Sequence, residues 1–154
     1  MNKGLSGLSR RDAVRAAALA FAAGVIAPRL AFADEKAVTA EIKKLFGDRK
    51  MAQGKIKLDV PEIAENGLVV PVNVEIESPM TDADYVKAVH VFADGNPQPG
   101  IVSYQFTPAC GKASAATRMR LAQTQDVICI AEMSNGDLYS AKANVKVTIG
   151  GCGG

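Results

Sequence analysis

Leu68-Val69-Val70-Pro71-Val72-Asn73-Val74-Glu75-Ile76-Glu77 is the stretch that decides the fold. Its even positions, Leu68, Val70, Val72, Val74 and Ile76, are all apolar, and its odd positions are mostly polar or proline. Successive side chains of a strand point to opposite faces, so this period of two predicts a strand with one buried face. Pro71 has no N–H to give to a sheet ladder, which predicts that the strand is an edge or carries a bulge.

The same reading extends outward to strands over 85–93, 101–107, 115–122, 126–133, 137–142 and 144–149. Turn-forming clusters separate them: Glu65-Asn66-Gly67, Ser78-Pro79, the Asp94–Gly100 stretch and Ser134-Asn135-Gly136-Asp137. Short strands at this spacing predict an all-β chain, an immunoglobulin-like β-sandwich of about seven strands. A closed barrel is the alternative. Before the strands, Val38, Ile42, Leu45 and Phe46 fall on one helical face and Gly47 follows where a helix would stop, so a short helix is expected there.

The two ends read differently. Residues 1–33 resemble an export signal: Ser9-Arg10-Arg11, an alanine-rich run from Ala13 to Ala27, then Ala31-Phe32-Ala33 as a small-x-small cleavage signature. The paired arginines point to the twin-arginine route and hence to the periplasm, although Asp12 and Val14 depart from the usual motif. The run is too short and alanine-rich for a comfortable membrane span. Cleavage before Asp34 would take five of the 18 basic and one of the 16 acidic residues, leaving 13 against 15. With no basic run remaining, neither nucleic acid nor an anionic membrane is an expected partner. The organisation read from the chain is thus a signal over 1–33, a sandwich over 34–149 and an arm over 150–154.

That arm is Gly150-Gly151-Cys152-Gly153-Gly154. Glycine accepts nearly all backbone conformations, so two pairs of them make Cys152 a mobile thiol on a short tether. A thiolate, not a thiol, is the nucleophile. The nearest cation in sequence is Lys146, and the terminal carboxylate disfavours ionisation, so Cys152 is expected to be accessible but not self-activated. This suits a carrier whose activating groups come from the enzymes it visits. Cys110 and Cys129 could form a disulfide in an oxidising compartment; otherwise Cys129, in Val127-Ile128-Cys129-Ile130-Ala131, is a small buried hydrophobe.

No metal or other cofactor is expected. His90 is the only histidine, on a strand face read as shared with Val86, Ala88 and Phe92, and a lone histidine makes a poor metal site. Asp94–Gly100 reads either as a wide hairpin turn or as a stiff loop that touches a substrate or partner.

A twin-arginine signal, a sandwich and a terminal Gly-Gly-Cys-Gly-Gly together resemble the SoxY family of sulfur carriers. Ala64-Glu65-Asn66-Gly67, Ser78-Pro79-Met80-Thr81, Phe92-Ala93-Asp94-Gly95-Asn96-Pro97-Gln98-Pro99 and Val145–Gly154 carry the resemblance, the terminal pentapeptide being the specific part. It implies a non-catalytic carrier in thiosulfate oxidation, with Cys152 as the attachment point and Gly150, Gly151, Gly153 and Gly154 giving the arm its freedom. It also implies a heterodimer with a SoxZ-like β-sandwich subunit. A c-type cytochrome would conjugate thiosulfate to Cys152 as an S-thiosulfonate, a hydrolase would release sulfate, and a sulfane dehydrogenase would oxidise the remainder.

Three other readings use the same residues. An interaction protein would be joined stably to a partner by a disulfide at Cys152. A thiol oxidoreductase would carry Cys-x-x-Cys, which this chain lacks. A carrier activated at Gly153-Gly154 fits neither an export signal nor a sandwich.

Overall fold

The computed structural model describes residues 35–150. The export-signal stretch 1–33 and, at the other end, Gly151, Cys152, Gly153 and Gly154 lie outside the described residues. The chain enters through helix α1 (Glu35–Phe46) and continues through β1 (Met51–Ala52), β2 (Ile56–Asp59), β3 (Ile63–Ala64), β4 (Val70–Ile76), β5 (Val86–Ala93), β6 (Gly100–Gln105), β7 (Ala113–Met119), β8 (Gln125–Met133) and β9 (Leu138–Val147).

Two sheets result, so the open sandwich holds and the barrel does not. The larger runs β1-β9-β8-β5-β6, with β3 also pairing β9; the smaller runs β2-β4-β7. Between them lies the main core: Val70, Val72, Val74 and Ile76 from β4, against Val89, Val91 and Ala93 from β5 and Val127, Cys129, Ala131 and Met133 from β8. The apolar even positions of the opening stretch are thus its inner face. Leu68 and Val69 lie before the strand begins and are exposed.

β4 is the centre of its sheet, a correction to the expected edge. β2 pairs only with Asn73–Ile76, however, whereas β7 pairs with Val70–Ile76, Pro71 lying opposite Arg118. At Pro71 the strand has one neighbour, so the missing N–H costs no ladder bond on the other side.

The larger sheet is covered on its second face as well. Val38 and Phe46 of α1 pack on Phe92, Ile130 and Leu138, with Ile42 partly buried among them. Buried positions 38, 42 and 46 repeat every four residues, and Leu45 falls off that stripe and is 48% exposed. Gly47 ends the helix at φ 67°, its N–H donating to the Lys43 carbonyl.

Two strand expectations change. Segments 137–142 and 144–149 are one strand, β9; the apparent break is where Lys142 and Asn144 turn outward and both bind Asp126 of β8, at 2.6 and 2.7 Å. A bulge in β5 between Val86 and Ala88 shifts the register against β8. Val86 therefore joins the sandwich core and does not share the His90 face.

Candidate functional site

The site is the root from which the C-terminal tail leaves the sandwich. β9 has partners on both sides: β8 as far as Val145 on one, and β1 and β3 on the other, β3 reaching Val147. The clamp continues past the last ladder residue. Lys146 N–H donates to Glu62 O (2.9 Å), Thr148 N–H to Ala64 O (3.1 Å), the Thr148 hydroxyl to Glu65 O (2.8 Å), and Gly67 N–H to Ile149 O (2.7 Å). On the opposite flank Val147 N–H donates to the Thr124 hydroxyl at 3.0 Å. Leu121 N–H closes the ring by donating to Gly67 O (2.8 Å).

Gly150 is the last residue of this root, and its lack of a side chain has a steric reason. A Cβ there would stand 2.2 Å from the carbonyl oxygen of Ala122. At this position glycine permits a close approach to a neighbouring backbone, a packing role in place of the freedom expected of Gly150.

The 120–126 segment under Gly150 is itself held by two buried amides. Asn96 Nδ2 donates to Arg120 O (2.7 Å), and Asn96 Oδ1 accepts from Ala122 N–H (2.9 Å) and Gln125 Nε2 (3.0 Å). Gln125 Nε2 also donates to Gln123 O, and Gln125 Oε1 accepts from Gly95 N–H at 2.7 Å. Both side chains are almost fully buried, and every buried side-chain polar atom among the described residues has a partner. Asp94 adds a carboxylate bond to Asp126 N–H. The Asp94–Gly100 loop is thus a hairpin connection between β5 and β6 that also braces the ground on which the tail rests. Sequence reading missed Asn96 and Gln125 in this role. The signal was there: an Asn-Pro step in a loop too stiff for a simple turn, and a polar run Gln123–Asp126 leading straight into an apolar strand.

Cys110 and Cys129 are both free, so the disulfide considered above is not formed. Cys129 points into the sandwich core from β8, whereas Cys110 is exposed at the end of a 3-10 turn, Pro108–Cys110, after β6. Burial pushes the Cys129 thiol up to about 12, which leaves it a core side chain without nucleophilic character.

His90 is half-buried at the α1 interface. Its ring meets Phe46 edge-on at 5.3 Å and stacks on Phe92 at 6.4 Å, and its Nδ1 hydrogen-bonds the Ser103 hydroxyl at 2.7 Å. Burial lowers its pKa, partly opposed by Glu132. Among the described residues no three His, Cys, Asp or Glu side chains come together to hold a metal. No described helix is long and apolar enough to cross a membrane.

Fold and root together define a class: an immunoglobulin-like sandwich whose last strand is clamped on both flanks and leads into a glycine-flanked cysteine. The chain matches the family model of the sulfur oxidation protein SoxY over residues 42–152. It belongs to the SoxY family. Among solved structures it is similar to the sulfur carrier protein SoxY from Chlorobium limicola f thiosulfatophilum, at 31% identity and TM-score 0.62, covering 74% of this chain and 98% of that one. The superoxide reductase (neelaredoxin) of Ignicoccus hospitalis shares the fold at 17% identity and TM-score 0.55, over 77% of this chain and 95% of that one. A putative superoxide reductase from Thermotoga maritima does so at 18% identity and TM-score 0.53, over 69% and 89%. Those two likenesses concern the sandwich alone. No curated protein sequence matches the chain.

Proposed function

We propose that this chain is a sulfur carrier that holds oxidation intermediates of thiosulfate covalently on Cys152 and presents them to partner enzymes. The observation that carries the reading is the contrast at residue 150. The fold clamps the chain rigidly up to Gly150, and Gly151-Cys152-Gly153-Gly154 follow with no residue able to pack a core. Counting at most about 3.3–3.6 Å per residue, the Cys152 Cα lies within about 7 Å of the Gly150 Cα. That is enough to pass a thiol into another protein's cleft while its root stays fixed. Of the other thiols, one is buried in the core and one sits on a surface turn.

Sulfur as the cargo rests on membership of the SoxY family and on the carrier named in the Chlorobium structure. The same kinship supports export to the periplasm by the twin-arginine signal of residues 1–33 and a heterodimer with a SoxZ-like sandwich. It likewise supports transient contacts with a c-type cytochrome, a sulfate-releasing hydrolase and a sulfane dehydrogenase. The chain supplies the attachment atom and the tether; bond making and breaking belong to those enzymes.

Intact mass spectrometry of the chain, purified without reductant and then reduced, tests the reading. The expected result is a mass beginning at Asp34 with reducible sulfur adducts confined to the Cys152 peptide. A stable disulfide from Cys152 to another protein would replace the carrier by an interaction protein.

A further inference from the structure

The arginines among the described residues are Arg49, Arg118 and Arg120, and the fold treats them differently. Arg49 is paired with Glu132 at 3.3 Å and also reaches the Gly136 carbonyl. Arg118 and Arg120 are exposed, and neither guanidinium has an ion-pair or hydrogen-bond partner among the described residues. Both line one groove of about 410 Å³, between the end of β7 and the loop that leads into β6, and its lining contains no carboxylate.

The backbone sets the pair in place. Arg118 is exposed, Met119 after it is 3% exposed, and Arg120 turns outward again. Residues two apart along an extended chain start on one face, about 7 Å from each other. Asn96 Nδ2 holds the Arg120 carbonyl at 2.7 Å, so the base of the second arginine is fixed while its head stays in water. Each guanidinium offers paired N–H donors that match the oxygens of an oxyanion. Two of them without a counter-charge favour a dianion over a monoanion. The remaining lining selects among dianions: Pro97, Ile101 and Met119 give the groove an apolar, polarisable side. Sulfate presents hydrated oxygens in every direction and would set some of them against that side, which costs free energy. Thiosulfate has oxygens at one end only; the other end is a large, weakly hydrated sulfur.

We infer that the Arg118–Arg120 groove binds free thiosulfate non-covalently, with the sulfonate oxygens on the two guanidiniums and the outer sulfur against Ile101 and Met119. This goes beyond the carrier reading, which concerns a covalent adduct on a different residue; no bond is made or broken in the groove. Both cations are exposed, so the attraction is weak, screened by salt and quick to reverse. The chain then meets thiosulfate in two chemically separate ways, as a dissolved dianion held by charge and as a covalent load.

Sodium thiosulfate titrated at low salt into an isotope-labelled Cys152→Ser chain tests the site without the thiol of the carrier reading. The Nε–H resonances of Arg118 and Arg120 and the methyl resonance of Met119 are expected to move together, with half-saturation at roughly millimolar thiosulfate. Those of Arg49 should stay still. Sodium sulfate should need several-fold more to reach the same shift, and sodium chloride at matched ionic strength should produce none. The shifts should fade towards 1 M salt, where the screening length falls to roughly 3 Å.

Arg118→Gln and Arg120→Gln should each weaken the response of the other arginine and together abolish the Met119 shift. The unfolding midpoint should hold, since both side chains are exposed. Lys146→Gln, an exposed charge outside the groove, should leave the titration unchanged. Arginine shifts reproduced by chloride, or a Met119 shift that survives the double substitution, would overturn the site. Equal responses to sulfate and thiosulfate would overturn the assigned ligand. Failure of the carrier reading is seen separately, as a parent chain whose Cys152 peptide carries no reducible sulfur adduct.

Discussion

Gly150 lies against Ala122 so closely that a β-carbon would stand 2.2 Å from the Ala122 carbonyl oxygen. The obstacle is backbone, held in place by Asn96, and cannot rotate away. Gly150→Ala should therefore displace the tail root or the 120–126 segment, at a cost of about 1–3 kcal/mol typical of overpacking. Thermal unfolding of Gly150→Ala beside Gly153→Ala checks this: the first is expected to melt lower, the second to match the parent chain.

Asn96→Ala removes three hydrogen bonds at once and leaves Arg120 O, Ala122 N–H and the Gln125 amide without that partner. A buried polar group stripped of its partner costs about 1–3 kcal/mol. Denaturant unfolding should show a loss in that range or somewhat above it. Amide exchange should quicken over 120–126 before it quickens in β5 or β8.

Cys152→Ser should abolish thiosulfate-dependent turnover in the assembled system and leave the unfolding midpoint unchanged, since no core residue is touched. Turnover retained at the parent rate would sink the carrier reading. Gly151→Pro keeps the thiol but fixes φ beside it; turnover is expected to fall while the rate of alkylation by a small reagent stays the same.

The three thiols should separate by reactivity. At pH 8, iodoacetamide is expected to modify Cys110 and Cys152 in the folded chain, and Cys129 only after denaturant is added. Burial holds the Cys129 thiol at about 12. Peptide mapping reads the outcome, and early labelling of Cys129 would mean that β8 opens.

His90 makes the seating of α1 pH-dependent. Its folded pKa lies below the ordinary 6.5, because burial disfavours the imidazolium more than Glu132 favours it. The unfolded chain thus binds the proton more readily. The stabilisation is full above pH 6.5 and is lost as pH falls through the folded value. Proteolysis at the α1–β1 junction should accelerate on acidification in the parent chain and far less in His90→Gln.

Strands β4 to β8 were legible in the sequence because each turns a face to the sandwich core; β4 and β7 leave the other face outward, whereas β5 and β8 have theirs covered by α1. The β1, β2 and β3 strands span two to four residues, too few for a period to register, and exist because β9 and β4 offer edges to pair with. Val86 was misplaced because a one-residue bulge reverses parity, and composition carries no mark of it. At the candidate site, the expectation for Cys152 came from its four flanking glycines alone. The clamp was not: it is built from backbone bonds, Thr124, Thr148 and two buried amides, all residue types that also fill ordinary turns.

The pairing of β9 on both flanks has a mechanical meaning. A pull on the tail, such as an enzyme drawing the cysteine inward, acts along the strand and across its hydrogen bonds. The bonds to β8 and β3, and those of Val147 to Thr124 and Ile149 to Gly67, are then sheared together and not unzipped one at a time. The sandwich would serve as the anchor of a tow line, with the load spread over these bonds before it reaches the core.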